Sequence, residues 1–305
     1  MRFHFLIPSM EEIVFTKMHG LGNDYAYINC LSSCPDDLPS LSIEMSDRHL
    51  GVGSDGIILI LPSSVADYQM RIFNADGSEA KMCGNGIRCV GKYLYDNHIT
   101  PLTELNIETL AGIRQLSLHV DPSTDRVDYV TVDMGAPILD PPSIPVDAPG
   151  TSMIERGVVT SQGVMTVTAV SMGNPHGVLF VNDISKVDID SIGPELENHP
   201  MWPDRANIEF VEVKSPDHLK MRVWERGSGE TRACGTGACA VYEAAILTGR
   251  CMADGIKPVT VELPGGELMI SKSRTGSILM TGPATTVFDG TYYRAGHKRR
   301  AHLNL

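Results

Sequence analysis

No stretch of this chain approaches the roughly 20 consecutive apolar residues that a helix needs to cross a bilayer, so no membrane partner is expected. No Cys-x-x-Cys pair and no histidine pair at zinc-finger spacing occurs either, and no metal is expected. Positive charge is scarce: 25 Lys and Arg stand against 37 Asp and Glu, a net charge of -12, and only "HKRR", His297 to Arg300, is locally basic. Phosphate binding needs a basic face, so nucleic acid is not an expected partner. The opening "MRFHFLIPSM" lacks both the length and the small-residue cleavage site of a secretory signal. A cytoplasmic location is therefore expected, with Met10 available as an alternative start.

What is present is an ordinary globular composition, 42% hydrophobic and 20% charged over 305 residues, which suits two units of roughly 150 residues each. The seven cysteines, at positions 30, 34, 83, 89, 234, 239 and 251, are odd in number and lack an export signal. A disulfide framework is thus not expected. The thiols are left as core residues, ligands or nucleophiles.

Two of them lie in related surroundings. Cys83 and Cys234 are 151 residues apart, and that shift lays "MRIFNADGSEAKMCGNG" (Met70 to Gly86) on "MRVWERGSGETRACGTG" (Met221 to Gly237) without a gap. The same shift lays "GNDY", Gly22 to Tyr25, on "GNPH", Gly173 to His176. One register holding across both matches implies a duplicated unit, with two equivalent loops facing each other across a pseudo-twofold cleft.

Alternating apolar stretches such as "YQMRIFN", "LNIET", "QLSLHV", "YVTVDM", "VMTVTAV", "GVLFV", "IEFVEV", "LKMRVWE", "VTVEL" and "SILMTG" predict strands bounded by Gly, Pro and Asp turns. Four helices are predicted: around Leu41 to Asp47, from Gly84 to about Asp96, near Ile192 to Asn198, and from Gly235 to about Leu247, stopped by Gly249. "GIRCVGKYLY" and "GACAVYEAAIL" are apolar on nearly all faces, as enclosed helices must be. The expected fold is α+β, two pseudo-symmetric units, each a mostly antiparallel sheet wrapped around a central helix.

Cys83 and Cys234 each stand at a predicted helix start, where the macrodipole and unpaired N–H groups favour thiolate over thiol. The flanking glycines, at 84, 86, 235 and 237, let those N–H groups approach a carboxylate. Two facing thiols around one bound carboxylate suit inversion of the adjacent carbon, one removing a proton from one face while the other delivers a proton to the opposite face.

The segments "FTKMHGLGNDY", "RHLGVGSDG", "RIFNADGSEAKMCGNGIRC", "SMGNPHGV", "ANIEFV", "WERGSGETRACGTGACA" and "MTGPATTVFDG" follow in order over nearly the whole chain. Together they resemble the diaminopimelate epimerase family. The resemblance implies a cofactor-free epimerase interconverting LL- and meso-diaminopimelate for lysine and cell-wall precursor synthesis, and a homodimer. It also implies that the C-terminal strand returns to the first domain. The units expected are 1–126 with 283–305, carrying Cys83, and 127–282, carrying Cys234.

Carried over, Cys83 and Cys234 are the acid/base pair. Gly84 and Asn85, with Gly235 and Thr236, would offer N–H groups to the carboxylate at the reacting carbon. His176 and Glu225 would flank the reacting amino group or hold the thiols poised. Asn23, Asn74, Asn174, Asn207 and Arg226 would bind the remaining polar groups, Arg226 taking the distal carboxylate through its planar fork. One departure stands out: part of the family has a substrate-touching glutamine after "GVGSD", where this chain has Gly56.

Other residues admit plainer readings. Cys89 and Cys239, inside the helices, read as core residues, and His19 as structural. Glu79 and Glu230, each four residues before a cysteine, could be bases or could accept loop N–H groups, while Arg71 and Arg222 read as paired strand residues. Two alternatives to the epimerase remain at this level: a related cofactor-independent, proline-racemase-like enzyme with another substrate, and a non-catalytic amino-acid-binding protein.

Overall fold

The computed structural model describes residues 10–251 and 257–295; the opening nine residues and the basic "HKRR" lie outside the described residues. The first half of the chain runs β1 (Met10–Gly20), β2 (Asn23–Asn29), α1 (Leu38–Ser46), β3 (Gly56–Leu61), β4 (Tyr68–Asn74), β5 (Glu79–Ala80), α2 (Gly84–Asp96), β6 (Glu104–Thr109), β7 (Gly112–Asp121), β8 (Arg126–Gly135) and β9 (Arg156–Thr160). The second half repeats that order as β10 (Gly163–Ser171), β11 (Pro175–Phe180), α3 (Ile189–Glu197), β12 (Asn207–Ser215), β13 (His218–Glu225), β14 (Gly229–Thr231), α4 (Gly235–Leu247), β15 (Val259–Leu263), β16 (Gly266–Lys272), β17 (Ile278–Pro283) and β18 (Thr285–Ala295). The fold is α+β and duplicated. Under the 151-residue shift, α1 coincides with α3 and α2 with α4 at both ends.

Hydrogen bonding joins the strands into one sheet whose order reads the same in both halves. It runs β18-β1-β2-β3-β4-β6-β7-β8, then β17-β16-β15-β13-β12-β11-β10-β9, with β5 on β4 and β14 on β13. The register repeats as well: β2 and β3 are parallel with Ala26 opposite Ile57, and β11 and β12 are parallel with Gly177 opposite Ile208. Each half lends its ninth strand to the other, β9 pairing with β10 and β18 with β1. β8 and β17 meet antiparallel at the seam.

Each main helix is enclosed, but the two do not occupy separate cores. Ile87, Val90 and Leu94 of α2 belong to the same apolar cluster as Ala238, Val241 and Ala245 of α4. Gly84 to Lys92 are all buried, including two cations that an apolar reading of this helix passes over. Lys92 reaches the Val127 carbonyl at 2.6 Å and Asp96 at 2.7 Å. Arg88 is fully buried and bears on the site. Smaller clusters under α1, around Leu41, Met45 and Phe73, and under α3, around Ile192, Leu196 and Phe210, fill the outer face of each sheet. Among the described residues, no helix is long and apolar enough to cross a membrane.

Candidate active site

Each cysteine is the N-cap of its helix, extended in backbone and accepting a hydrogen bond at sulfur. The Gly86 N–H donates to Cys83 Sγ at 3.3 Å, and the Gly237 N–H to Cys234 Sγ at 3.4 Å. Sulfur thus takes the place of the usual hydroxyl or carboxylate cap. The N–H groups of Gly84, Asn85, Gly235 and Thr236 fall in the first turns, where a helix supplies no carbonyl partner.

The two helix starts touch. Asn85 Nδ2 donates across the duplication to the Ala233 carbonyl at 3.2 Å, one residue before Cys234. A Cβ on Gly84 would come within 2.9 Å of Met280, and one on Gly235 within 3.0 Å of the same side chain and 3.9 Å of Asn85 Oδ1. Arg88 holds this junction from below, donating to Asn85 Oδ1 at 3.0 Å, the Gly84 carbonyl at 3.1 Å and the Pro283 carbonyl at 3.1 Å. Burial pushes its guanidinium below the usual arginine range, and all three of these acceptors are neutral oxygens.

The surroundings of the two sulfurs differ. Cys83 Sγ lies 3.2 Å from Asn23 Oδ1, and the Tyr25 hydroxyl is within hydrogen-bonding reach of both residues. Burial pushes the Cys83 thiol upward, opposed by the N–H groups of Gly86 and Asn85, by Tyr25 and by the Arg88 charge. Cys234 Sγ lies 3.5 Å from Thr236 Oγ1 and near Glu225, itself held by the Thr231 hydroxyl. Burial, then the charges of Glu225 and Glu209, push the Cys234 thiol well above the ordinary range. The thiolate preference expected from the helix starts is therefore overturned: loss of solvent outweighs the helix N–H groups.

Asn174, His176 and Glu209 complete the second side. His176 Nδ1 is 2.6 Å from Glu209 Oε1, both side chains being fully buried, and Nε2 is 3.0 Å from Asn174 Oδ1. Asn174 Nδ2 donates to Thr236 Oγ1 at 3.4 Å. Glu209 and Tyr25 were not singled out in the sequence. Glu209 sits in its strand between Ile208 and Phe210, and for Tyr25 only the repeat, which lays it on His176, gave a signal.

The other expected ligands stand farther along the strands. Asn207, opposite His176 on β12, is buried; its Nδ2 donates to the Pro175 carbonyl at 3.0 Å and its Oδ1 accepts the Arg226 N–H at 2.9 Å. Arg226 is exposed and its Nη1 donates to the Asp204 carbonyl at 2.9 Å. Asn74 ends β4, opposite Gly56, with Nδ2 donating to Ser78 Oγ at 3.0 Å. Gly56 cannot be exchanged for the family glutamine in this backbone: its φ is +156° and a Cβ would lie 2.1 Å from the Phe73 carbonyl.

Glu79 and Glu230 neither reach the thiols nor accept loop N–H groups. They pair with Arg71 and Arg222 at 2.7 and 2.6 Å, the same bridge in each half. Cys89 and Cys239 are fully buried in the helices, and His19 Nδ1 accepts the Gly22 N–H at 3.3 Å.

The family model described as "Diaminopimelate epimerase" matches residues 15–139 and 168–287. A protein of that name from Agathobacter rectalis is 51% identical over 284 residues, covering 90% of this chain and 98% of its own. One from Methanococcus maripaludis is 49% identical over 277 residues, covering 90% and 98%. Among solved structures, a hydroxyproline epimerase from Agrobacterium vitis superposes with a TM-score of 0.67 at 15% identity, over 93% of each chain. A Bacillus anthracis protein of the PhzF phenazine biosynthesis family gives 0.66 at 16%, over 93% of this chain and 99% of its own. At such identities these two structures speak for the fold alone.

Proposed function

The chain belongs to the diaminopimelate epimerase family, and from this premise we propose that it interconverts LL- and meso-2,6-diaminopimelate by proton transfer between Cys83 and Cys234, without a cofactor. The observation that carries the reading is the joined pair of cysteine-capped helix starts, linked by the Asn85 amide and the Ala233 carbonyl. A carboxylate bound at the N–H groups of Gly84, Asn85, Gly235 and Thr236 lies at the positive ends of two helices, where growing enolate charge is stabilised. One sulfur, as thiolate, takes the α-proton, and the electron pair left on carbon is drawn into the carboxylate. The other, as thiol, returns a proton to the opposite face and becomes the thiolate.

Glu225 beside Cys234, and Tyr25 beside Cys83 with Asn23 accepting from its sulfur, support this exchange. Asn174 and His176 flank the Cys234 side, and Asn207 and Asn74 stand near the strand ends. Arg226, exposed and adjacent to Glu225, serves the distal carboxylate. In the cell the reaction belongs to lysine and cell-wall precursor synthesis, in the cytoplasm. For the working division into 1–126 with 283–305 and 127–282, the return of β18 to β1 supports grouping the C-terminal strand with the first unit, while β8, paired with β7, lies on the first unit's side of the β8–β17 seam. A homodimer is supported by exposed apolar residues on the outer β1–β18 pair, Val14, Val287 and Tyr293, and sedimentation tests it.

Turnover of LL-diaminopimelate, followed by solvent deuterium incorporation, is the decisive assay. Cys83→Ser and Cys234→Ser should each lower the rate about 10²–10⁴-fold while circular dichroism is unchanged, because an alcohol is too weak an acid and base at neutral pH. Near-normal turnover in either variant would sink the two-thiol reading. Racemisation of proline without action on diaminopimelate would move the substrate to the related class.

A further inference from the structure

The His176–Glu209 pair has no counterpart in the other half. The 151-residue shift lays His176 on Tyr25 and Glu209 on Ile58, and the geometry agrees. A Cβ on Gly86 would meet Ile58 Cδ1 at 2.6 Å, whereas one on Gly237 would meet Glu209 Oε1 at 2.8 Å. Beneath the start of α4, a carboxylate thus occupies the place that an aliphatic side chain fills beneath α2. Ile58 shows that packing alone needs no charge there, so the carboxylate calls for a chemical reason.

Burial of Glu209 is complete and its Oε2 has no hydrogen-bond partner. A buried carboxyl group is tolerated only when it is hydrogen-bonded, and the group in contact is His176 Nδ1 at 2.6 Å. The other ring nitrogen faces Asn174 Oδ1, because the Asn174 Nδ2 is turned to Thr236. Both ring nitrogens therefore face oxygen atoms, and the two contacts fix the ring in one orientation. The chain of contacts then continues from Asn174 to the Thr236 hydroxyl and on to Cys234 Sγ.

We propose that Glu209 is a positioning residue of the Cys234 half-site: its carboxyl group holds the His176 ring through Nδ1, and His176 in turn fixes the Asn174 amide against Thr236 beside the thiol. The proposal rests on the reading that Cys234 exchanges a proton with substrate. Glu209 itself touches no substrate, so its loss acts on the rate of proton transfer rather than on binding.

The test uses the full chain labelled with ¹⁵N-histidine. The ring Nδ1 signal of His176, assigned by its loss in His176→Gln, should shift in Glu209→Gln as the hydrogen bond to the carboxyl group is altered. Glu209→Gln should lower kcat roughly ten- to hundredfold in both directions with KM within about threefold, and Glu209→Asp should recover part of the rate. Glu209→Ile, which copies Ile58, should keep the melting temperature while losing the rate, separating positioning from packing. A His176 Nδ1 signal unchanged in Glu209→Gln, or turnover within about threefold in that variant, would overturn the proposal. If the signal shifts but the wild-type chain does not turn over diaminopimelate, the functional reading falls and the His176–Glu209 contact stands.

Discussion

A sulfur at a helix N-terminus is ordinarily a stabilised thiolate, and here two such sulfurs are pushed the other way by the low-dielectric junction that their own helices create. The push is unequal. Cys83 has the buried Arg88 charge nearby, and Cys234 has the carboxylates of Glu225 and Glu209. A thiol raised less ionises first as pH increases, so in the free protein iodoacetamide should modify Cys83 before Cys234. Arg88→Met removes a cation and should move the Cys83 profile to higher pH. Peptide mapping across an alkaline series decides it; equal rates at both cysteines would remove the asymmetry.

Within the elements, the first turns of α2 and α4 are set by glycine for two different neighbours. At Gly86 the atom in the way of a Cβ is the end of the Ile58 side chain, which can rotate aside, and Cys83 Sγ is 3.6 Å off. At Gly237 the obstacle is Glu209 Oε1 at 2.8 Å, with Cys234 Sγ at 3.3 Å. Gly237→Ala should therefore cost more activity than Gly86→Ala, by an order of magnitude or so in kcat if Glu209 is displaced from His176. Both variants should fold, since alanine favours a helix over glycine by about 1 kcal/mol. Equal rates in the two variants, measured side by side, would mean that the pocket beneath α4 tolerates movement.

Across the whole molecule the buried thiols set an alkaline limit. Cys89 and Cys251 are pushed up to about 11 by burial, and Cys239 higher. A thiol whose folded value is raised contributes its full stability below its unfolded value of 9.0 and loses it as pH climbs toward the folded one, because the unfolded chain sheds the proton first. For Cys89 alone the loss between those values is on the order of 3 kcal/mol. Urea midpoints should fall steeply from pH 9 to 11, and Cys89→Ala should flatten part of that slope. A midpoint independent of pH over this range would contradict the burial of these thiols.

Much of this arrangement could be read in the chain itself. Alternating strands, the Cys-Gly-x-Gly helix starts and the gapless 151-residue register follow from local patterning, and the structure extends that register to helix pairs coinciding end to end. The pairing of Glu79 with Arg71 and Glu230 with Arg222 was half legible, because matched spacing announces a pair without saying what each carboxylate touches. Three features depended on the tertiary structure. The return of β18 to β1 is set by long-range hydrogen bonding, to which local propensity is blind, whereas its counterpart β9 reaches β10 through a two-residue turn. The contact of Glu209 with His176 arises because β11 and β12 lie parallel, bringing together residues 33 positions apart. The rise of both thiols follows from burial, and the sequence could offer only the helix terminus, whose pull is real but smaller than the loss of water.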